Sequence, residues 1–107
     1  MTGRVKDVIL RGGETVAALD LESHLLAHPR IAAVAAIGLP DPYLGEKICA
    51  AIVFRGSPVA LPEINEHLDA RGVAVHCRPD MIAPMPALPT TAVGKVDKRS
   101  LAAQLSG

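Results

Sequence analysis

Aromatic side chains are almost absent from this chain. There is no tryptophan, and Tyr43 and Phe54 are the only tyrosine and phenylalanine. A surface built to stack bases or sugar rings is therefore not expected. Charge of one sign is missing too: 11 Lys plus Arg stand against 11 Asp plus Glu, for a formal net charge of zero. Recognition of nucleic acid or of an anionic membrane as the main role is disfavoured by that balance. The two cysteines, Cys49 and Cys77, are far apart and outside any metal-ligand spacing. Neither a disulfide nor a zinc site is expected, and a reduced, cytoplasmic setting fits better. The longest apolar run, Ile31 to Leu39, is nine residues and stops at Pro40, far short of the roughly 20 needed to span a bilayer. No basic-then-apolar stretch opens the sequence, so a secretion signal is not expected.

What is present is aliphatic. Half of the 107 residues are hydrophobic, so the core must be Ala, Val, Ile and Leu. That suits one small domain of layered sheet and helix. Val5 to Leu10 reads as a strand, Arg11 to Glu14 as a turn, and Thr15 to Ala17 as the returning strand of a hairpin. Ala18 to His28 reads as a helix stopped by Pro29. Ile31 to Gly38 and Ile48 to Phe54 read as strands buried on both faces, with Pro40-Asp41-Pro42 breaking the first. Leu61 to Arg71 is an amphipathic helix, with Pro62 in its first turn and Gly72 at its end. His76 to Asp80 is a connector and Met81 to Met85 a third strand. Asp97 is placed to cap a last helix running through Leu105. The expected class is α+β: an N-terminal hairpin, a three-stranded sheet and three helices.

Two turns carry the chemistry. Pro89-Thr90-Thr91-Ala92-Val93-Gly94-Lys95-Val96-Asp97-Lys98 puts Lys95 on a glycine-bearing loop just ahead of a helix start. A mobile ammonium there suits a phosphate or carboxylate arriving from elsewhere; taken alone, it also reads as a solvated turn lysine. Gly12-Gly13 matches neither the dinucleotide nor the P-loop spacing and by itself reads as a hairpin turn. Arg4 and Lys6 by themselves also read as exposed charges at a chain start, although the fork of donors on Arg4 suits a phosphate or ribose. His24 and His28 are four apart and could ligate a metal, but no acidic third ligand accompanies them, and surface histidines are the better reading. His67 and His76 read as isolated, and Glu22 and Glu46 as helix-face and strand-start charges. Cys49 reads as core. Cys77, between His76 and Arg78, reads as an inert thiol. No serine, histidine and acid arrangement stands out.

Read together, the two ends resemble the C-terminal domain of the adenylate-forming superfamily, which contains acyl-CoA synthetases, peptide-synthetase adenylation domains and luciferases. Gly3-Arg4-Val5-Lys6-Asp7-Val8-Ile9, then Arg11-Gly12-Gly13-Glu14 and Asp20-Leu21-Glu22, resemble its hinge and hairpin. His28-Pro29, Gly38-Leu39-Pro40-Asp41 and Gly45-Glu46-Lys47 match its middle, and Leu88 to Lys98 its terminal lysine motif. The resemblance covers essentially the whole chain in order. The wording is closest to the aryl-acid adenylating enzymes of siderophore synthesis. These are the salicyl-AMP and 2,3-dihydroxybenzoyl-AMP ligases, the former serving mycobactin-type pathways.

The resemblance implies a mobile lid that serves two half-reactions. Lys95 would bridge the acid's carboxylate and the α-phosphate of ATP while the acyl adenylate forms. Rotation about Lys6, the hinge position, would then withdraw Lys95 and bring in the Arg11–Glu14 hairpin. Gly12 and Gly13 would line the channel for a phosphopantetheine thiol, and Arg4 would face the nucleotide. Some family members carry an arginine shortly after this turn, where Thr15 stands here, so a phosphate contact at that place lacks its donor. ATP with Mg2+ and carrier-bound phosphopantetheine are the implied cofactors. The implied partners are the enzyme's own large N-terminal domain, an aryl carrier protein and an aryl acid. That large domain, with its ATP and acid pockets, is not in the sequence. The chain is thus expected to be an excised lid with Met1 an artificial start, and to be inactive alone. The alternatives are the lid of an acyl-CoA synthetase using free coenzyme A, and a free-standing carrier-docking module.

Overall fold

The computed structural model describes residues 8–106. Arg4 and Lys6, the expected nucleotide contact and hinge, lie outside the described residues. The elements follow in the order β1 (Val8–Arg11), β2 (Glu14–Ala17), α1 (Ala18–Leu26), β3 (Ile31–Asp41), β4 (Gly45–Phe54), α2 (Leu61–Ala70), a 3-10 turn (Val75–Cys77), β5 (Met81–Pro84) and α3 (Lys98–Ser106). The expected class and helices are present. The hairpin and the other three strands are one sheet, however, with β4 at its centre. Strand order is β2-β1-β4-β3, and β5 also pairs with β4. The β4–β5 pair is parallel and the others are antiparallel.

Alternation along β3 and β4 sorts the core into two faces, since successive strand side chains point opposite ways. Val34, Ala36, Ile48, Ala50 and Ile52 meet Ala18, Leu21 and Leu25 of α1 and Ile64 and Leu68 of α2. Ala35, Ile37, Leu39, Cys49 and Ala51 meet Leu101 of α3. The expected burial of both strands on both faces is what this sandwich requires. Small alanines at the sheet centre stand in for absent aromatics and let helices close on both sides. Among the described residues no helix is long and apolar enough to cross a membrane.

Several boundaries differ from the expectation. β3 does not stop at Gly38 but runs through Pro40, which pairs with Glu46, to Asp41. Proline is tolerated because β3 is an edge strand and needs no donor on its outer side. α1 ends at Leu26, two residues before His28, whose N–H bonds Leu25 O at 2.9 Å in a tightened last turn. The end of α2 is closed as expected: Gly72 N–H bonds Asp69 O at 3.0 Å, and Val73 N–H bonds Leu68 O at 3.0 Å.

Candidate functional site

Lys95 sits at the foot of a tight hairpin between Pro89 and Asp97. Thr91 N–H donates to Lys95 O at 2.7 Å, and Gly94 N–H donates to Thr91 O at 3.0 Å. Gly94 has φ +87°. This is the three-residue loop in which a turn is completed by one left-handed residue, and glycine takes that place without Cβ strain. Below it Thr90 pairs with Val96, and Asp97 N–H donates to Pro89 O at 2.8 Å. Val96 and Leu88 pack against the α3 side of the core. The backbone of Lys95 is thereby fixed, while its side chain is exposed. Among the described residues the ammonium has no hydrogen bond or ion pair.

Asp97 closes the hairpin and opens α3. Its Oδ1 accepts Ser100 N–H at 3.1 Å and its Oδ2 accepts the Ser100 hydroxyl at 3.0 Å. Those bonds hold its carboxyl below the usual carboxylate range. The cap expected from the sequence is formed. Lys98, three residues beyond Lys95, has a different task. Its Nζ is 2.7 Å from Glu22 Oε2, the oxygen that also accepts Ala36 N–H at 2.8 Å from the open edge of β3. Glu22 is not a solvated helix-face charge: it caps a sheet edge and anchors the start of α3.

Gly12 and Gly13 form the tip of the β1–β2 hairpin, with φ +58° and +85°. Two consecutive left-handed residues are what a two-residue hairpin turn demands. A Cβ on Gly13 would meet nothing within 4 Å, and one on Gly12 would meet only Leu44 Cδ2, at 3.5 Å. Within this chain the glycines thus answer to backbone geometry rather than crowding. Gly12 N–H donates to Leu44 O at 2.8 Å. Beside the tip, the Arg11 guanidinium forks onto Asp80: Nη2 to Oδ1 at 2.7 Å, and Nε to Oδ2 at 2.9 Å and to Oδ1 at 3.1 Å. That hydrogen bonding pulls the Asp80 carboxyl down and raises Arg11 further, against desolvation. Glu46 Oε1 accepts Leu10 N–H at 2.8 Å, so Glu46 too is more than a strand-start charge.

Among the described residues, no group of three or more His, Cys, Asp or Glu is arranged to hold a metal ion. His28 is 8% exposed, not a surface residue. Its Nδ1 accepts Arg30 N–H at 3.0 Å, and its ring meets that of His67 edge-on at 4.9 Å. Burial lowers its pKa, with His67 and Arg30 adding in the same direction and Glu63 opposing. His67 Nε2 donates to His24 O at 2.8 Å and Arg71 Nε donates to His24 Nδ1 at 2.9 Å, a α1–α2 lock. His67 is therefore not isolated, and His76 Nε2 stands 3.9 Å from Glu14 Oε1. Cys49 is buried core, with its thiol pKa raised by burial; Cys77 packs at the core margin.

The sequence singled out both turns. It missed Asp80 and the tasks of Glu46 and Glu22, whose partners lie 14 to 76 positions away. No local spacing signals such pairs.

Residues 20–95 match the AMP-binding enzyme C-terminal domain. The chain is 65% identical over 105 residues to salicyl-AMP ligase / salicyl-S-ArCP synthetase of Mycobacterium tuberculosis, covering 98% of this chain and 19% of that protein. It is 42% identical to 2,3-dihydroxybenzoate-AMP ligase of Bacillus subtilis, covering 97% of this chain and again 19% of the relative. Its backbone superposes on the apo structure of Mycobacterium smegmatis MbtA with a TM-score of 0.93 at 64% identity, over 97% of this chain and 20% of the other. The chain thus spans about a fifth of the length of the relatives it matches.

Proposed function

The chain belongs to the AMP-binding enzyme C-terminal domain family, and on that premise we propose that it is the mobile lid of an aryl-acid AMP ligase. The ligase activates salicylate or 2,3-dihydroxybenzoate with ATP and passes the acyl group to a carrier-protein phosphopantetheine thiol in siderophore synthesis. The observation that carries this reading is Lys95, whose backbone is pinned by a hairpin while its ammonium is exposed and, among the described residues, unpaired. The similarity to salicyl-AMP and dihydroxybenzoate-AMP ligases supports the choice of acid.

In the first half-reaction a carboxylate oxygen attacks the α-phosphorus of ATP, and the bond to pyrophosphate breaks. Two anions must meet, and Lys95 would lie between them. A fixed backbone with a long flexible stem lets one ammonium follow charge as it moves from the carboxylate to the leaving oxygen. The family uses ATP with Mg2+; the metal and most nucleotide contacts belong to a large N-terminal domain that precedes Lys6. In the second half-reaction the thiol sulfur attacks the acyl carbon, the bond to AMP breaks, and the thiol proton is released. The lid would turn about Lys6, taking Lys95 out and bringing Gly12 and Gly13 beside the pantetheine arm. Arg4 would then face the nucleotide. The work takes place in the cytoplasm, where ATP and carrier proteins are available, and the lid alone has no ligase activity.

The test is carboxylate-dependent ATP–pyrophosphate exchange by the full-length enzyme that carries this chain, with salicylate, 2,3-dihydroxybenzoate and a fatty acid. A charge-assisted hydrogen bond is worth roughly 1.5–3 kcal/mol, and about 1.4 kcal/mol is tenfold in rate. Lys95→Ala should therefore cost about ten- to a hundredfold or more. Exchange that ignores this substitution would remove the lid reading. Comparing free coenzyme A with a holo carrier protein as acceptor separates an acyl-CoA synthetase from a carrier-loading enzyme.

A further inference from the structure

The glycine hairpin is joined to the rest of the sheet by very little backbone. β3 and β4 pair through ten residues, whereas β1 meets β4 at a single register pair, Arg11 with Gly45. Ile9 and Val16 reach the core and keep the hairpin on the domain. An apolar contact of that kind resists detachment but allows rocking, and a Gly-Gly tip is the most pliable turn a chain can have. The direction in which Gly12 and Gly13 point must be set by the polar ties beside them.

Gly12 N–H on Leu44 O and Leu10 N–H on Glu46 are two such ties; the Arg11–Asp80 pair is the one whose base is bound to the middle strand by main chain and side chain alike. Asp80 N–H donates to Ile48 O at 2.8 Å, and Asp80 Oδ2 accepts Ile48 N–H at 2.8 Å. Both its main chain and its side chain are thus bound to the middle strand, next to Cys49 and Ala50, which are fully buried. Arg11 engages the same carboxylate through two nitrogens, and the residue after Arg11 is the first glycine of the tip. The planar fork fixes orientation as well as distance, which an ammonium would not. The pair is also partly shielded, with side chains 25% and 22% exposed. Arg11 is consequently committed within the domain and is not held ready for a phosphate.

Resting on the lid reading above, we propose that Asp80 is a positioning residue for the acyl-transfer half-reaction: acting through Arg11, it holds the Gly12–Gly13 turn in the pose that admits the pantetheine thiol. It takes no part in adenylate formation, which uses the Lys95 hairpin, a separate turn anchored on the α3 face of the sheet. Displacement by about 1 Å of a positioning group is enough to slow a reaction by around two orders of magnitude.

The experiment compares wild type, Asp80→Asn and Arg11→Lys in the full-length enzyme, measuring ATP–pyrophosphate exchange and acyl transfer to a holo carrier protein separately. Amide exchange of Gly12, Gly13 and Gly94 is read by NMR in the 107-residue chain. Asp80→Asn keeps an acceptor for Ile48 N–H but loses the charge-assisted fork; Arg11→Lys keeps the charge but loses the fork geometry. Both should slow acyl transfer about tenfold or more, leave exchange within about twofold, and speed amide exchange at Gly12 and Gly13 but not at Gly94. A parallel loss of both half-reactions together with a lowered unfolding midpoint would make the pair merely structural. Unchanged transfer in both variants would make the clamp idle. A wild-type enzyme with no acid-dependent exchange would instead sink the lid reading, and this inference with it, before any variant is compared.

Discussion

The carboxylate of Glu46 occupies the space that a side chain at residue 38 would need. A Cβ built on Gly38 would lie 2.8 Å from Glu46 Cδ and 2.9 and 3.0 Å from its oxygens. The same carboxylate accepts Leu10 N–H at 2.8 Å and so ties β1 to the sheet. Gly38 is in extended backbone, so the demand for glycine here is one of space, not of dihedral angle. Glu46 can swing away, but only by releasing Leu10. Gly38→Ala should therefore cost about 1 kcal/mol, the worth of an exposed charge-assisted bond. In a Glu46→Ala background the same change should stabilise by about 0.5 kcal/mol, because alanine suits a strand better than glycine. Urea unfolding of the four variants measures this reversal of sign.

Lys95 and Lys98 should separate cleanly. Lys95→Ala should leave the thermal midpoint within about 1 °C, since surface changes without partners are close to neutral, while adenylation by the full-length enzyme falls as given above. Lys98→Ala removes the 2.7 Å bridge to Glu22, whose side chain is only 14% exposed. A loss of about 1–2 kcal/mol follows, with α3 fraying first, as circular dichroism would record.

The conformation of Gly94 can be tested apart from the lysine it precedes. At φ +87°, and with nothing within 4 Å of a would-be Cβ, Gly94→Ala carries backbone strain and no clash. That strain is about 1–2 kcal/mol. If the hairpin yields to relieve it, Lys95 is redirected. Adenylation should then drop about tenfold or more while the melting midpoint falls by about 4–9 °C, the shift that about 1–2 kcal/mol makes in a domain of this size.

Acid should weaken the domain in two stages. His28 is kept neutral in the fold, its pKa lowered from the usual 6.5 chiefly by burial. The unfolded chain therefore takes up a proton first as pH falls, so the stability from His28 is complete above about 6.5 and is lost below it. His28→Gln should flatten the urea midpoint between pH 7.5 and about 5.5. Asp80 is also depressed, from 3.8, mainly by the hydrogen bonds from Arg11. Its contribution is present above about 4 and disappears only as pH drops further. Asp80→Asn should shrink that second phase to the share that Asp97, also depressed, still contributes, and leave the first.

Much of this protein was legible in the linear sequence because the signals are local. Strand periodicity and apolar runs located β3 and β4, since burial on both faces leaves no polar position. Proline, glycine and the Asp97 cap punctuate the helices, because each acts on backbone within a turn of itself. Gly94-Lys95 and Gly12-Gly13 marked the two working turns for the same reason. What the tertiary structure decided are the relations over long separations. Asp80 meets Arg11 across 69 positions, Glu46 replaces a side chain at Gly38 and holds Leu10, and Glu22 receives Lys98 around the open edge of β3. His28 turned from a surface residue into core by the closing of α2 over α1. A carboxylate three residues from a lysine announces itself on a helix; one that finds its partner only after a sheet has closed does not. Its partner is chosen by the packing of the intervening chain, which no short window of residues contains.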